Sequence, residues 1–189
     1  MLEELIKLDQ ELFLFLNQMG TESWDSFWLL LTNKWTSIPL YLILLTLSYI
    51  HFGWKKTLVL LVSVGILITC TDQLANFFKY GVMRLRPCHD PDLADQFRLV
   101  KASCGGKYGY FSAHAANSFA IALFFSYLLN SRFKYLKYFL VLWALIVAYS
   151  RIYIGVHFPL DVLTGLLIGG LFGWTFSRLF IFATYKLRL

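Results

Sequence analysis

From residue 35 to residue 54 the chain runs twenty positions without one Asp, Glu, Lys or Arg. A helix of that length rises about 30 Å, the thickness of a bilayer's hydrocarbon core. Trp35 and Trp54 stand at its ends, where aromatic rings prefer the membrane–water boundary. Runs of similar character follow at 57–79, 111–130, 138–154 and 159–185. Inside lipid only helices and closed barrels satisfy their own backbone hydrogen bonds, and these runs are of helical length. Charged residues make up 15% of the sequence, against about 25% in soluble domains, so composition agrees. The predicted fold is an all-α integral-membrane bundle of about five transmembrane helices, a single domain over residues 1–189 with its spanning core at 35–185.

Residues 1–33 follow another pattern. Leu5, Leu8, Leu12, Phe15 and Met19 recur at helical spacing, with Glu3, Glu4, Lys7, Gln10 and Glu11 between them. This predicts an amphipathic helix lying on the bilayer, with a second interfacial piece at 24–31. Glu3 and Glu4 stand where a signal peptide carries basic residues, and no small-residue cleavage site follows, so the segment is not read as a signal peptide.

Five spans sort the loops into two sets. Lys55, Lys56, Arg132, Lys134, Lys137, Lys186 and Arg188 fall on one side, seven basic residues with no acidic one. The N-terminus, the 80–111 loop and the 155–158 turn fall on the other, and all eleven acidic residues lie on or toward it. The positive-inside rule assigns the first set to the cytoplasm and the second to the outside. This topology and an anionic substrate account for the net charge of +6. No nucleic-acid motif is visible, so the expected partners are the bilayer and that substrate.

Polar residues inside the spans are costly and mark either function or hydrogen-bonded contact between helices. Thr69, Asp72, Asn76 and Lys79 form one such stripe, and both readings are open for Asp72 and Asn76. Gly165, Gly169 and Gly173 repeat every four residues and predict close helix packing. Cys88 and Cys104 share the outer loop, whereas Cys70 lies within a span. A disulfide closing that loop would contribute about 3 kcal/mol in an oxidising compartment, and two free thiols are the other reading.

Three polar clusters converge on the outer face. Lys79 precedes Arg86-Pro87; Ser112-Ala113-His114 opens the third span; Ser150-Arg151 and His157-x3-Asp161 flank the last turn. Gly155 suits the end of one helix and Pro159 the first turn of the next. His157 and Asp161, four apart, share a face if helix begins there, and the carboxylate then fixes the imidazole tautomer. The other reading of this turn is an Arg and a His snorkelling to the headgroups. Both His114 and His157 fall at helix N-termini, where free N–H groups favour an anion. Two histidines among Lys79, Arg86 and Arg151, with no set of carboxylate or thiolate ligands, suit a tetrahedral oxyanion better than a metal ion.

Lys79-x6-Arg86-Pro87, Ser112-Ala113-His114 and Ser150-Arg151-x5-His157-x3-Asp161 resemble the three signature segments of the type 2 phosphatidic acid phosphatase (PAP2) superfamily. The resemblance spans residues 79–161, and the second segment departs from the usual Pro-Ser-Gly-His, reading Phe111-Ser112-Ala113-His114. It implies a metal-independent phosphatase without cofactor, with His157 as nucleophile and Asp161 orienting it. His114 would be the general acid and base. Lys79, Arg86, Arg151, Ser112 and the Ala113 N–H would hold the phosphate oxygens, and Ser150 would either join them or support Arg151. The implied substrate is a lipid monophosphate or diphosphate, ranked as undecaprenyl diphosphate first, then phosphatidylglycerophosphate, phosphatidate and lipid A phosphates. The implied setting is a bacterial inner membrane with the site facing the periplasm or exterior. A vanadate-dependent haloperoxidase and a non-catalytic lipid-binding protein are the alternatives, and oligomeric state is left open.

Overall fold

The computed structural model describes residues 2–189, apart from the side chain of residue 34. Helices α1 (Leu2–Gln18), α2 (Glu22–Thr32), α3 (Ile38–Val82), α4 (Ala113–Leu129), α5 (Leu136–Tyr153) and α6 (Pro159–Lys186) carry the fold, with short 3-10 turns at Lys34–Ser37, Pro87–His89 and Pro91–Leu93. The chain is an all-helical membrane protein.

α3 is long enough to cross a bilayer twice, and it does not run straight. Gly53 has φ 75°, a left-handed conformation that glycine adopts without penalty. Ile38, Tyr41 and Leu42 from one leg line a single groove with Leu61, Val64 and Ile68 from the other. A straight helix would hold Ile38 and Ile68 about 45 Å apart, so the chain doubles back near Gly53. The stretch Trp35–Val82, α5 and α6 are each long and apolar enough to cross a membrane, and the turn at Gly53 divides the first into legs 38–52 and 54–82. α4 is the shorter apolar helix, 17 residues, and it occupies the centre, packed on α6, α5 and α3.

The closest packing lies between α4 and α6. Gly165, Gly169 and Gly173 present bare backbone to α4: a Cβ at Gly165 would stand 2.6 Å from the Ser112 carbonyl oxygen, and one at Gly173 would stand 2.5 Å from that of Ala120. These are the packing positions expected from the four-residue repeat. Beside them Phe124, Leu129, Leu140, Ala144 and Phe180 form part of one buried apolar cluster.

α1 meets the protein with a face the apolar pattern does not show. Asp9, Phe13 and Asn17 are buried, while Leu5, Leu8, Leu12, Phe15 and Met19 are exposed. On a helix wheel the two sets are centred about 120° apart, so the apolar stripe points away from the protein and a different side docks. Asn17 makes that docking specific. Its amide donates to the carbonyls of Arg98, Ile152 and Tyr153 at 3.1, 3.1 and 2.9 Å and accepts from Arg98 N–H at 2.8 Å. α2 packs alongside, with Trp28 stacked on Tyr153 at 4.9 Å.

The polar stripe of the second span divides. Asp72 and Lys79 point into a cavity, whereas Thr69 and Asn76 are exposed. The buried side of this leg is centred on Thr71 and Ala75. Asp72 and Lys79 lie about 60–80° from that centre and Thr69 and Asn76 about 120–140°, so one stripe straddles the edge of the protein contact.

Candidate active site

Each element that reaches the site ends or bends there for a local reason. α5 stops because Gly155, at φ 80°, turns the chain out of the helix. Only glycine fits there, since a Cβ would meet the Arg98 carbonyl oxygen at 2.6 Å. α6 starts at Pro159, whose missing N–H costs nothing in a first turn. Asp161 then reaches back, and its Oδ2 accepts from the Phe158 N–H at 3.0 Å. The same Oδ2 lies 3.5 Å from His157 Nδ1. His157 is 2% exposed and Asp161 0%, so the pair is shielded from bulk solvent. Gly109 seals it: a Cβ there would come within 3.2 Å of Asp161 Oδ2 and 3.5 Å of His157 Nδ1.

α4 enters from the other side. The Ser112 backbone N–H donates to the Asp161 carbonyl at 2.9 Å, tying the start of α4 to the start of α6. Ser112 Oγ accepts from the Ala115 N–H at 3.4 Å and caps the helix. Ser112 is fully buried, and its hydroxyl oxygen caps the helix beside the cavity. Ala113 and His114 do line the cavity, and among the described residues the N–H groups of both are without a hydrogen-bond acceptor. Ser150 is likewise buried, its hydroxyl donating to the Val147 carbonyl at 2.6 Å, in support of the helix that carries Arg151.

The cations converge on that cavity of about 610 Å³, whose wall includes Lys79, Arg86, His114, Arg151 and His157. Arg86 is held by its own loop, Nε donating to the Tyr108 carbonyl at 3.2 Å and Nη1 to the Cys104 carbonyl at 2.6 Å. Cys104 is disulfide-bonded to Cys88, with Cα atoms 6.2 Å apart, so the bridge ties the carbonyl that holds Arg86 to the turn two residues after it. Arg151 is 4% exposed; one Nη donates to Thr32 Oγ1, and Nε has no partner among the described residues. None of Lys79, Arg86 and Arg151 has a carboxylate within salt-bridge distance among the described residues. A buried guanidinium with an idle donor and two further unpaired cations call for an anion in the space between them. His157 is tuned to react with it: burial pushes its pKa from 6.5 down to about 4, only partly opposed by Asp161, so the imidazole is neutral at neutral pH.

Two contributors carry no signal in the motifs. Arg84, two residues before Arg86, donates Nη1 to Asp161 Oδ1 at 3.0 Å and Nη2 to Asp9. Asp9, on α1, also accepts from the Leu160 N–H at 2.9 Å. Thr32 and Asn33 bring the end of α2 onto the cavity wall, and Asp72, bonded by the Asn117 amide at 2.8 Å, lines it below Lys79.

The profile of the PAP2 superfamily matches residues 56–185. A lipid A 4′-phosphatase of Bacteroides thetaiotaomicron is 39% identical over 189 residues, 99% of this chain and 81% of that protein. An undecaprenyl-diphosphatase of Sulfolobus acidocaldarius is 31% identical over 118 residues, 61% of this chain and 53% of that protein. Among solved structures, Aquifex aeolicus LpxE superimposes with TM-score 0.66 at 28% identity, covering 90% of this chain and 95% of the other. The transmembrane PAP2 type phosphatidylglycerolphosphate phosphatase from Bacillus subtilis superimposes with TM-score 0.72 at 20% identity, covering 93% and 86%, and shares the fold.

Proposed function

The chain belongs to the PAP2 superfamily and is a membrane lipid phosphatase, and from that premise we propose that it removes a phosphate monoester from a lipid A-type glycolipid. Similarity to a lipid A 4′-phosphatase over almost the whole chain supports this substrate. Undecaprenyl diphosphate, ranked first from sequence, becomes the second reading, favoured by the shorter match to an undecaprenyl-diphosphatase. The observation that carries the phosphatase chemistry is the meeting of Lys79, Arg86 and Arg151, without carboxylate partners, around His114 and His157.

In this mechanism the phosphate oxygens bind to Lys79, Arg86, Arg151 and the free N–H of Ala113, and the transition-state charge spread over those oxygens is stabilised there. The neutral His157 attacks phosphorus through Nε2 while Nδ1 faces Asp161. As the N–P bond forms, the P–O bond to the lipid breaks, and His114 gives its proton to the departing oxygen. His114 then takes a proton from water, the resulting hydroxide attacks the phosphohistidine, and inorganic phosphate leaves with His157 regenerated. Asp161 favours the positive charge that the imidazole acquires in between. The site faces the periplasm or exterior of a bacterial inner membrane in this proposal, on the strength of the basic loops at the opposite end.

Purified protein in detergent, offered lipid A, undecaprenyl diphosphate, phosphatidylglycerophosphate and phosphatidate at matched concentrations, tests the assignment. Lipid A should lose one phosphate, located at the 4′ position by fragmentation mass spectrometry, and His157→Ala should release none. A higher kcat/KM on undecaprenyl diphosphate would move the assignment to the second reading.

A further inference from the structure

We propose that Asp9 and Arg84 are positioning residues for phosphoryl transfer: the chain Asp9–Arg84–Asp161 holds the Asp161 carboxylate in place behind His157. The N-terminal helix, outside the residues matched to the family, thereby becomes part of the catalytic support. The inference rests on the phosphohistidine mechanism above.

The geometry fixes every member of the chain. Asp161 Oδ1 accepts from Arg84 while Oδ2 accepts from the Phe158 N–H, so the carboxylate cannot turn without breaking a buried bond. Arg84 is fixed in turn by Asp9 and by the Phe158 ring, whose centroid lies 4.4 Å from the guanidinium carbon. Asp9 is fixed by the Leu160 N–H, one residue before Asp161. α1 therefore grips the first turn of α6 at two points. The planar fork of arginine spans two carboxylates at once, which an ammonium group on a flexible stem does not.

Charge explains why two carboxylates share one cation. Arg84 alone beside Asp161 would cancel its charge and weaken its pull on the imidazole. With Asp9 ionised the three groups sum to −1, so Asp161 remains an effective anion toward the charge that develops on His157; burial raises the Asp9 pKa, so this contribution fades as the pH falls through the Asp9 carboxyl. The other charged or titratable groups around His157 are Arg86, Arg151 and His114, with Lys79, Lys101 and Asp72 on the same cavity wall, and they are unchanged in the variants below.

Opposite electrostatic signs separate this role from mere docking of α1. In Asp9→Asn the uncancelled Arg84 cation disfavours protonated His157, so the acid limb of kcat/KM should move to lower pH. In Arg84→Gln the carboxylate is released from its cation, and the limb should move to higher pH. Both should lower kcat, about tenfold for Asp9→Asn and more for Arg84→Gln, with KM within about twofold because the phosphate ligands are intact. Asn17→Ala, which loosens the same helix without touching Asp161, should lower the thermal midpoint but keep kcat and the limb. The assay is steady-state hydrolysis of p-nitrophenyl phosphate and lipid A by the full chain in detergent, from pH 3.5 to 8. Unchanged kcat in Asp9→Asn, shifts of one sign in both variants, or an equal loss in Asn17→Ala would overturn the proposal. Failure of the mechanism itself would appear separately, as turnover by His157→Ala.

Discussion

Replacing Gly169 by alanine tests the α4–α6 interface at its tightest point. The added methyl would overlap the Ala116 carbonyl oxygen and stand 2.9 Å from Ala116 Cα, both backbone atoms that no rotamer change can move. Relief requires the helices to part by about 1 Å, a gap that forfeits a quarter to a half of each dispersion contact along the seam. Helices in a bilayer remain formed when they separate, so alanine's better helix propensity offsets none of this. The overpacking cost is about 1–3 kcal/mol. Gly65→Ala is the control, since nothing lies within 4 Å of a Cβ there, and its change should be about zero. Activity should follow stability only at the tight site, because α4 carries His114 and α6 carries Asp161. Reversible unfolding in mixed micelles, scored with kcat on p-nitrophenyl phosphate, reads both. Equal stability of Gly169→Ala and Gly65→Ala would refute the close-packing argument.

Other expectations concern the site and its loop. The acid limb of kcat/KM in the unmodified protein should fall near pH 4, well below an ordinary histidine, because burial disfavours the imidazolium and keeps the nucleophile neutral until protonation below that value; a limb at 6.5 would contradict this. Brief reaction of His114→Ala with p-nitrophenyl phosphate, quenched in base and mapped by mass spectrometry, should leave phosphate on His157, since the water-activating group is gone. Reduction of the Cys88–Cys104 bridge should raise KM several-fold more than it lowers kcat, because Cys104 holds Arg86 by its carbonyl; an unchanged KM would separate the bridge from phosphate binding. In intact cells an impermeant thiol reagent should label Lys101→Cys and spare Lys134→Cys, and the reverse pattern would invert the topology.

The spans and the meeting of the three motifs were legible because each depends on local pattern, either apolar length or fixed spacing. Gly155 and Pro159 punctuate the turn that presents His157, and their conformations follow from backbone sterics alone. The docking side of α1 was not legible, for a reason specific to membranes. Apolar periodicity marks the exposed stripe, so the side facing protein carries Phe13 between Asp9 and Asn17, whose partners lie 75 to 151 residues away. Arg84 was hidden by its neighbours, because the spacing of Lys79 and Arg86 already accounted for the basic segment. Ser112 was legible as part of a motif, whereas its hydroxyl's place as the cap of α4 needed the start of that helix to be known. The split of Asp72 from Asn76 required knowing which neighbour each side of the leg would meet.

The exposed stripe of α1 has a consequence for where in the membrane the reaction occurs. An amphipathic helix floats at a preferred height, its apolar side about 5–10 Å into the boundary between headgroups and acyl chains. Here the reverse side of that float is bolted to Asp161 through Arg84 and to the end of α5 through Asn17. On the interfacial placement proposed for α1, the imidazole of His157 is moored at a set altitude above the bilayer midplane. A phosphate already riding at headgroup level can be cleaved where it lies, without hauling acyl chains into water at about 0.8 kcal/mol for each methylene exposed.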